Sequence, residues 1–152
     1  MIVNPLNVPS RSSTNYPVPF RAAVAGRSRK KLGDAAGLKN FGVNLTTLEP
    51  GSASALRHWH KKQDEFIYIL EGELTLVTDE GETVLSAGMG AGFPAGEADG
   101  HQLINRTAHP AIYLEVGDRT PDDVVTYPDE DLVALGTPEG WQFTHRNGSS
   151  YE

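Results

Sequence analysis

The chain has 152 residues, with 13 Lys and Arg against 20 Asp and Glu, so its formal net charge is −7. This length suits one domain that buries its own core. The negative charge argues against binding to nucleic acid or to anionic membranes. The chain contains no cysteine, which excludes disulfides, thiol nucleophiles, iron–sulfur clusters and zinc sites built on cysteine.

Residues 1–20 are rich in proline, serine and asparagine and show no periodicity, which predicts an extended arm. The segment lacks the apolar stretch of a secretion signal. No run of about 18 apolar residues occurs in the chain, so we expect no membrane-spanning helix. We therefore expect a cytoplasmic protein with neither a membrane nor a nucleic acid as a partner.

Short apolar stretches separated by turn residues characterise the centre of the chain, from residue 21 to residue 116. Even spacing of such stretches is typical of an all-β sandwich or barrel, and no sustained 3.6-residue apolar repeat favours a helix there. The predicted strands are Phe41–Leu48, Ala53–Trp59, Glu65–Leu70, Glu73–Thr78, Glu82–Leu85, Gly90–Phe93, His101–Asn105 and Ala111–Val116.

The pattern changes after Gly117. Val124–Tyr127 is predicted as one more strand, Asp129–Leu135 as a short acidic helix, and residues 140–152 as a loose strand with a frayed end. We thus expect an arm at 1–20, one β-barrel domain at 21–136 and a C-terminal tail at 137–152.

Two of the five histidines form the sequence His58-Trp59-His60. On a strand, residues i and i+2 point to the same face, so the two imidazoles would lie side by side. Imidazole is the commonest metal ligand among side chains. A pair of surface histidines is the alternative reading of this motif.

Glu65 opens the next predicted strand, and a turn at residues 61–64 would bring its carboxylate near the two histidines. Two histidines and one carboxylate on one face form an arrangement that holds Fe(II) and similar divalent ions. His101, after a Gly- and Pro-rich loop, is a fourth candidate ligand. His109 and His145 have no partner pattern, and we expect them to serve surface or packing roles.

Two segments resemble the two signatures of the cupin superfamily. The first is Pro50-Gly51 followed by His58-x-His60-x4-Glu65-x6-Gly72, and the second is Gly88-x5-Pro94-x-Gly96 followed by His101-x3-Asn105. The resemblance covers about residues 41–116. It implies a jelly-roll or double-stranded β-helix barrel with one divalent metal ion, such as Zn, Fe, Mn or Ni, bound by His58, His60, Glu65 and His101.

The chain departs from the usual cupin spacing at two places. Six residues separate Gly51 from His58 where the family has five, and four separate Gly96 from His101 where it has two. The second insertion adds Glu97 and Asp99 before the last ligand. These two acids are candidates for substrate contacts, with solvated loop residues as the alternative.

Three classes of function fit these observations. The first is a metal-dependent oxygenase, isomerase or lyase acting on a small oxygenated molecule. The second is a sugar or sugar-phosphate isomerase or epimerase, in which Arg57, Lys61 and Lys62 would attract a phosphate. The third is a non-catalytic binder of small ligands. No residue is predicted as catalytic, because no acid–base pair or nucleophile arrangement is evident.

The family resemblance further implies a homodimer. The edges of an open jelly roll need cover, and the arm at 1–20 and the segment Tyr127–Leu135 are available to cross to a second copy.

Overall fold

Antiparallel strands are the main regular elements of the computed structural model, which describes residues 1–151. One short helix, α1 (Leu32–Ala35), and two 3-10 turns, Pro5–Asn7 and Val18–Val24, accompany them. The strands are β1 (Ser10–Arg11), β2 (Arg27–Lys31), β3 (Phe41–Leu48), β4 (Trp59–His60), β5 (Glu65–Glu71), β6 (Glu73–Thr78), β7 (Gly81–Ser86), β8 (Gly90–Phe93), β9 (Gln102–Ile104), β10 (Ala111–Asp118), β11 (Val124–Thr126), β12 (Val133–Thr137) and β13 (Gly140–Thr144).

The strands form three sheets. The largest has the order β1-β2-β3-β10-β5-β8, the second β13-β12-β11-β4 and the third β7-β6-β9. Strands that are distant in sequence pair with each other, and β3 and β10 do so along their whole length. This is the all-β jelly roll that the sequence predicts. Within residues 1–151, no helix is long and apolar enough to cross a membrane.

The main hydrophobic core lies between the six-stranded and the three-stranded sheet. On β5 the side chains alternate, so that Ile67 and Ile69 are buried while Phe66 and Tyr68 are exposed. This period of two is what places one face of a strand in the core. The buried members of this core are Leu48, Ile67, Ile69, Leu74, Leu85, Leu103, Ala111 and Tyr113.

A second core joins the N-terminal arm to the C-terminal strands. Tyr16 packs edge-on against Tyr127 and Phe143, with ring centroids 5.9 and 5.6 Å apart. Val24, Leu132 and other residues of the two chain ends complete this cluster. The arm predicted at 1–20 therefore lies pinned against its own chain.

The hairpin of β12 and β13 continues its sheet past residue 136, where we expected the barrel to end.

The strand predicted at Ala53–Trp59 is wrong for most of its length. Only isolated bridges, Ala53 with Ile104 and His58 with His101, and the two residues of β4 are extended and paired. Ser54 explains part of the difference, because its hydroxyl accepts a hydrogen bond from the Leu103 backbone N–H at 2.9 Å. This hydroxyl takes a backbone N–H of β9 that a regular strand would pair with a carbonyl oxygen.

The acidic helix predicted at Asp129–Leu135 is also wrong, since the segment leads into strand β12. Leu132 and Ala134 are buried in the second core, and β12 pairs on both sides, with β11 and β13. The acids are used elsewhere: Asp129 contacts Arg57, and Asp131 contacts His145. Tertiary packing thus overrides local helix propensity.

Candidate metal centre

The three predicted histidine ligands converge on the carboxylate of the fourth predicted ligand, Glu65. Its Oε1 lies 2.7 Å from His60 Nε2 and 3.6 Å from His58 Nε2. Its Oε2 lies 2.5 Å from His101 Nε2. We name His58, His60, Glu65 and His101 the His–Glu cluster. Separate parts of the chain therefore present three imidazoles to one carboxylate.

Backbone pairing sets these positions. His58 and His101 form an antiparallel bridge, with backbone N–H···O distances of 3.1 and 2.9 Å. His60 lies on β4 and is paired with Val125 of β11. Glu65 opens β5, as predicted, but β5 does not pair with β4; its neighbours are β8 and β10. The turn at 61–64 brings the carboxylate to the histidines without joining the two strands.

The far nitrogens of two imidazoles are held by fixed oxygen atoms. His58 Nδ1 lies 2.7 Å from the Leu56 carbonyl oxygen, and His60 Nδ1 lies 2.6 Å from Asp123 Oδ2. A proton on each Nδ1 satisfies these contacts and leaves the Nε2 lone pairs directed at the cluster. Metal-binding histidines commonly show this arrangement, because the outer partner fixes the tautomer and the ring orientation.

Asp123 is the residue of the site that sequence reasoning missed. The segment Thr120–Asp123 reads as an ordinary turn, yet the Asp123 side chain is fully buried. Its second oxygen accepts a hydrogen bond from the Lys62 backbone N–H at 2.7 Å. One signal was present in the sequence: an Asp-Asp pair sits directly before the apolar strand β11, where a buried carboxylate needs a partner.

His101 occupies the most enclosed position of the cluster. Its ring stacks on Phe93, with centroids 3.6 Å apart and planes 4° apart. Its Nδ1 is buried without a hydrogen-bond partner among residues 1–151. Burial lowers the pKa of His101, despite the opposing effect of Glu65, so a neutral imidazole is favoured there.

The electrostatics of the cluster favour an ionised carboxylate. Burial raises the pKa of Glu65, but hydrogen bonds with His101, His58 and His60 outweigh burial and hold that pKa well below its usual range. For His60, burial lowers the pKa, but Glu65 and Asp123 outweigh it and raise the pKa to about 9. The charges therefore attract a cation to Glu65, either a proton on His60 or a metal ion.

The donor set fits a divalent metal. Ligand atoms of His58, His60 and Glu65 all lie within 4.8 Å of one another, close to the limit of about 4.4 Å between two atoms that bind one ion at about 2.0–2.2 Å. Three imidazole nitrogens and one carboxylate oxygen suit Fe, Mn, Ni and Zn. The orphaned Nδ1 of His101 does not change this, since its Nε2 is the atom that faces Glu65.

Comparison with known proteins identifies the family. The cupin domain family matches residues 44–117. The structure of a sugar phosphate isomerase from a cupin superfamily, from Silicibacter pomeroyi, is 45% identical over 100% of this chain and 97% of that chain, with a TM-score of 0.96. The chain belongs to the cupin superfamily.

Two further solved structures are similar to this cupin over part of its chain. A proposed sugar phosphate isomerase from Acidithiobacillus ferrooxidans is 31% identical over 80% of this chain and 77% of that chain, with a TM-score of 0.74. The polyketide cyclase RemF from Streptomyces resistomycificus is 21% identical over 78% of each chain, with a TM-score of 0.65, and shows the fold alone. No curated protein matches the chain.

Two cavities open from the His–Glu cluster of this cupin. The larger has a volume of about 1050 Å³ and touches all four cluster residues, and Tyr113 and Glu115 form part of its wall. The smaller, of about 330 Å³, reaches His60 and His101 and is lined by Glu97 and Asp99. The inserted acids thus lie near the last ligand, as the spacing suggested, and Asp99 Oδ1 also accepts a hydrogen bond from the Asp79 backbone N–H at 2.8 Å.

The basic residues that sequence reasoning offered for a phosphate lie elsewhere. Arg57, Lys61 and Lys62 line neither of the two cavities. Arg57 instead forms ion pairs with Asp79 and Asp129. The two remaining histidines also lie outside the cluster: His109 is exposed, and His145 pairs with Asp131 at 2.8 Å and stacks on Tyr151.

Proposed function

We propose that this cupin is a metal-dependent isomerase that acts on a small sugar phosphate. The observation that carries the proposal is the convergence of three imidazoles and one carboxylate at the wall of a cavity of about 1050 Å³. Full-length similarity to the sugar phosphate isomerase from Silicibacter pomeroyi supports the substrate class. Cavities of this size hold small organic ligands.

The residues divide into ligands and positioning groups. His58, His60, Glu65 and His101 would hold one divalent ion, which supplies a Lewis acid that polarises a carbonyl or hydroxyl oxygen of the sugar. Asp123 and the Leu56 carbonyl oxygen keep the His60 and His58 rings in place. Because these partners are fixed by the fold, the cluster needs little rearrangement to accept the ion.

The larger cavity offers polar groups to a polyhydroxylated substrate. Glu115 Oε2 lies 3.3 Å from the Tyr113 hydroxyl, and Asn44 Nδ2 donates to Glu115 Oε1 at 3.0 Å. These side chains follow one another along the inner face of β10 and across to β3. Sugar hydroxyls both donate and accept hydrogen bonds, so a wall of carboxylate, amide and phenol groups suits them.

The test combines metal analysis with turnover. Purified protein is loaded with Zn, Mn, Fe or Ni and incubated with a panel of aldose and ketose phosphates of three to six carbons, and conversion is followed by NMR under air and under argon. We expect metal-dependent isomerisation that does not require oxygen. The double variant His58→Ala plus His60→Ala is expected to lose both stoichiometric metal and turnover.

The chain offers a matched control in the double variant His109→Ala plus His145→Ala, which removes two histidines outside the cluster and is expected to keep both properties. Stoichiometric metal in His58→Ala plus His60→Ala would overturn the ligand assignment. Oxygen uptake with substrate would replace isomerisation by oxygenase chemistry. Tight sugar-phosphate binding without turnover under any metal would identify a binding protein instead.

A further inference from the structure

Arg29 faces the inside of the jelly roll from strand β2. Its register partner on β3 is Thr46, and the partner of Thr46 on β10 is Tyr113. Thr46 and Tyr113 are both fully buried. Residues in one row across a sheet point to the same face, so the Arg29 side chain lies on the inner face and lines the larger cavity.

Three arginines meet on this wall. Arg11 of β1 lies directly opposite Arg29 in the strand register, and Arg27 lies two residues before Arg29 on the same face of β2. All three line the larger cavity. Like charges placed directly opposite across strands are destabilising. Burial, and then the charge of Arg29, lower the pKa of Arg27, the direction expected when the guanidinium groups of Arg27 and Arg29 repel each other.

The protein compensates only part of this charge. Among residues 1–151, Glu115 is the one carboxylate within ion-pair distance of any of the three arginines, with Oε1 2.9 Å from Arg29 Nε. Arg27 is buried, and its Nη1 donates to the Ser54 carbonyl oxygen at 2.6 Å. Arg29 Nε is buried and, although it lies 2.9 Å from Glu115 Oε1, it forms no hydrogen bond with the described residues. Positive charge is therefore left facing the cavity, and partly buried charge of this kind is stabilised by an anion.

The arginine wall and the His–Glu cluster lie apart in one cavity. In the six-stranded sheet, β2 is separated from β5, which carries Glu65, by β3 and β10. Three strand spacings amount to roughly 14 Å along the sheet. The three arginines and the His–Glu cluster line the same cavity, so a small sugar phosphate can lie between them with its phosphate at one end and its carbonyl at the other.

We propose that Arg11, Arg27 and Arg29 form the subsite that binds the phosphate group of the substrate. The inference rests on the proposed function and adds the orientation of the substrate: phosphate on β1 and β2, reacting carbons toward His58, His60, Glu65 and His101. Planar guanidinium groups match phosphate oxygens with paired hydrogen bonds. The N-terminal arm takes part in this subsite, because Arg11 belongs to it.

The test uses inorganic phosphate on the full chain after metal has been removed with a chelator. Binding is titrated calorimetrically at constant ionic strength, since screening by salt affects all arginine–phosphate contacts. The variants are Arg11→Gln, which changes an exposed residue, and Arg29→Gln. The matched control is Arg106→Gln, which removes an equal charge from an exposed pair with Glu82 outside the cavity. Sodium acetate serves as the carboxylate probe.

We expect saturable phosphate binding to the metal-free protein, weakened about 10- to 100-fold by Arg11→Gln and by Arg29→Gln, because each variant removes charge-assisted hydrogen bonds. Arg106→Gln should bind like the unmodified chain, and both cavity variants should still take up stoichiometric metal. If Arg29→Gln fails to fold, Arg11→Gln alone decides.

Three results would overturn the subsite. They are equal phosphate affinity in Arg11→Gln and Arg106→Gln, phosphate binding that disappears when the metal is removed, and acetate binding as tight as phosphate. The double variant His58→Ala plus His60→Ala separates this inference from the proposed function. Loss of metal with retained phosphate binding supports the arginine subsite even where no isomerase activity is found.

Discussion

Asp123 acts on the metal centre through another residue. Its buried carboxylate contacts His60 Nδ1 with one oxygen and the Lys62 backbone N–H with the other. It therefore fixes the ring of one ligand and the backbone just after that ligand. An imidazole held in this way presents a lone pair at Nε2, and the negative charge of the Asp123 carboxylate makes that nitrogen a more basic ligand.

The substitution Asp123→Asn tests this positioning role. Asparagine keeps the shape and can still accept the Lys62 hydrogen bond, but its neutral amide no longer favours the proton at Nδ1. We expect metal affinity, measured by competition with a chromogenic chelator, to fall about 10- to 100-fold. Asp131→Asn, which alters the His145 pair outside the cluster, is the control and should leave metal affinity unchanged. Equal losses in both variants would contradict the assignment.

Arg57, the residue directly before His58, forms ion pairs with two acidic loops. Its guanidinium donates to Asp129 through Nε at 2.8 Å and Nη2 at 3.0 Å, and it also pairs with Asp79. These hydrogen bonds hold the pKa of Asp129 below its usual range. A depressed carboxyl pKa adds stability above the ordinary Asp value of about 3.9, and that stability is lost as the pH falls through the folded value.

We therefore expect Arg57→Gln to lower the melting temperature at pH 7 by about 1–3 °C, because the ion pair is exposed on the carboxylate side. The difference from the unmodified chain should shrink as the pH falls from about 4 through the depressed pKa of folded Asp129. Differential scanning fluorimetry from pH 3 to pH 8 measures this difference in melting temperature. A difference that is constant over this range would contradict the role of Asp129.

At the level of elements, the sequence predicted best where apolar and turn residues alternate clearly. The bounds of β3, β6 and β8 agree with the predicted strands residue for residue. β2 was missed because Arg27–Lys31 carries charged residues at most positions, and its strand form depends on pairing with β3 and β1. The predicted acidic helix failed for a similar reason, because burial of Leu132 and partners on both sides determine the form of β12.

The sequence also predicted part, but not all, of the candidate site. The spacing of His58, His60 and Glu65 was sufficient to place three groups together, because strand periodicity fixes the first two. Asp123 and Arg29 were not predicted, since their positions depend on pairings between strands that are distant in sequence. Residues that act through local spacing are therefore visible in the sequence, while His101, which joins the cluster from a distant segment, was fixed as a ligand only by the resemblance to the cupin signatures.

The turn between β5 and β6 requires glycine at position 72. Gly72 has φ of +79°, and a Cβ there would lie 3.0 Å from the Pro110 carbonyl oxygen and 3.1 Å from Ala111 Cα. Gly88, before β8, has φ of +92°, and a Cβ there would meet no other atom within 4 Å. The two positions share the conformational requirement and differ in the steric one.

The pair Gly72→Ala and Gly88→Ala separates these two effects. We expect Gly88→Ala to reduce the free energy of unfolding by about 1 kcal/mol, the cost of a left-handed alanine. Gly72→Ala should cost at least about 2 kcal/mol, because the backbone of β10 must also move. Urea unfolding followed by tryptophan fluorescence measures both values. Equal losses would show that the close approach to Ala111 is unimportant.

For the whole molecule, the two segments expected to cross to a second copy are engaged within the chain. Tyr16 of the arm and Tyr127 of the C-terminal segment pack together in the second core. The homodimer stays a prediction, and Tyr16 and Tyr127 are already buried within one chain. Sedimentation equilibrium at micromolar concentration tests it, with a monomer at all concentrations as the contradicting result.

Metal binding should stabilise the entire fold, because the His–Glu cluster joins elements of all three sheets or their extensions. β4 belongs to the four-stranded sheet, β5 to the six-stranded sheet, and His101 directly precedes β9 of the three-stranded sheet. An ion that binds only the folded state adds about 2.7 kcal/mol at 100 times its dissociation constant. For a chain of this size, that corresponds to roughly 5–10 °C in melting temperature.

Chelation of the metal-loaded protein should remove this increment, and His58→Ala plus His60→Ala should show no response to chelator. An unchanged melting temperature after verified metal loss would contradict this prediction, because it would mean that the ion binds the folded and the unfolded chain with equal affinity.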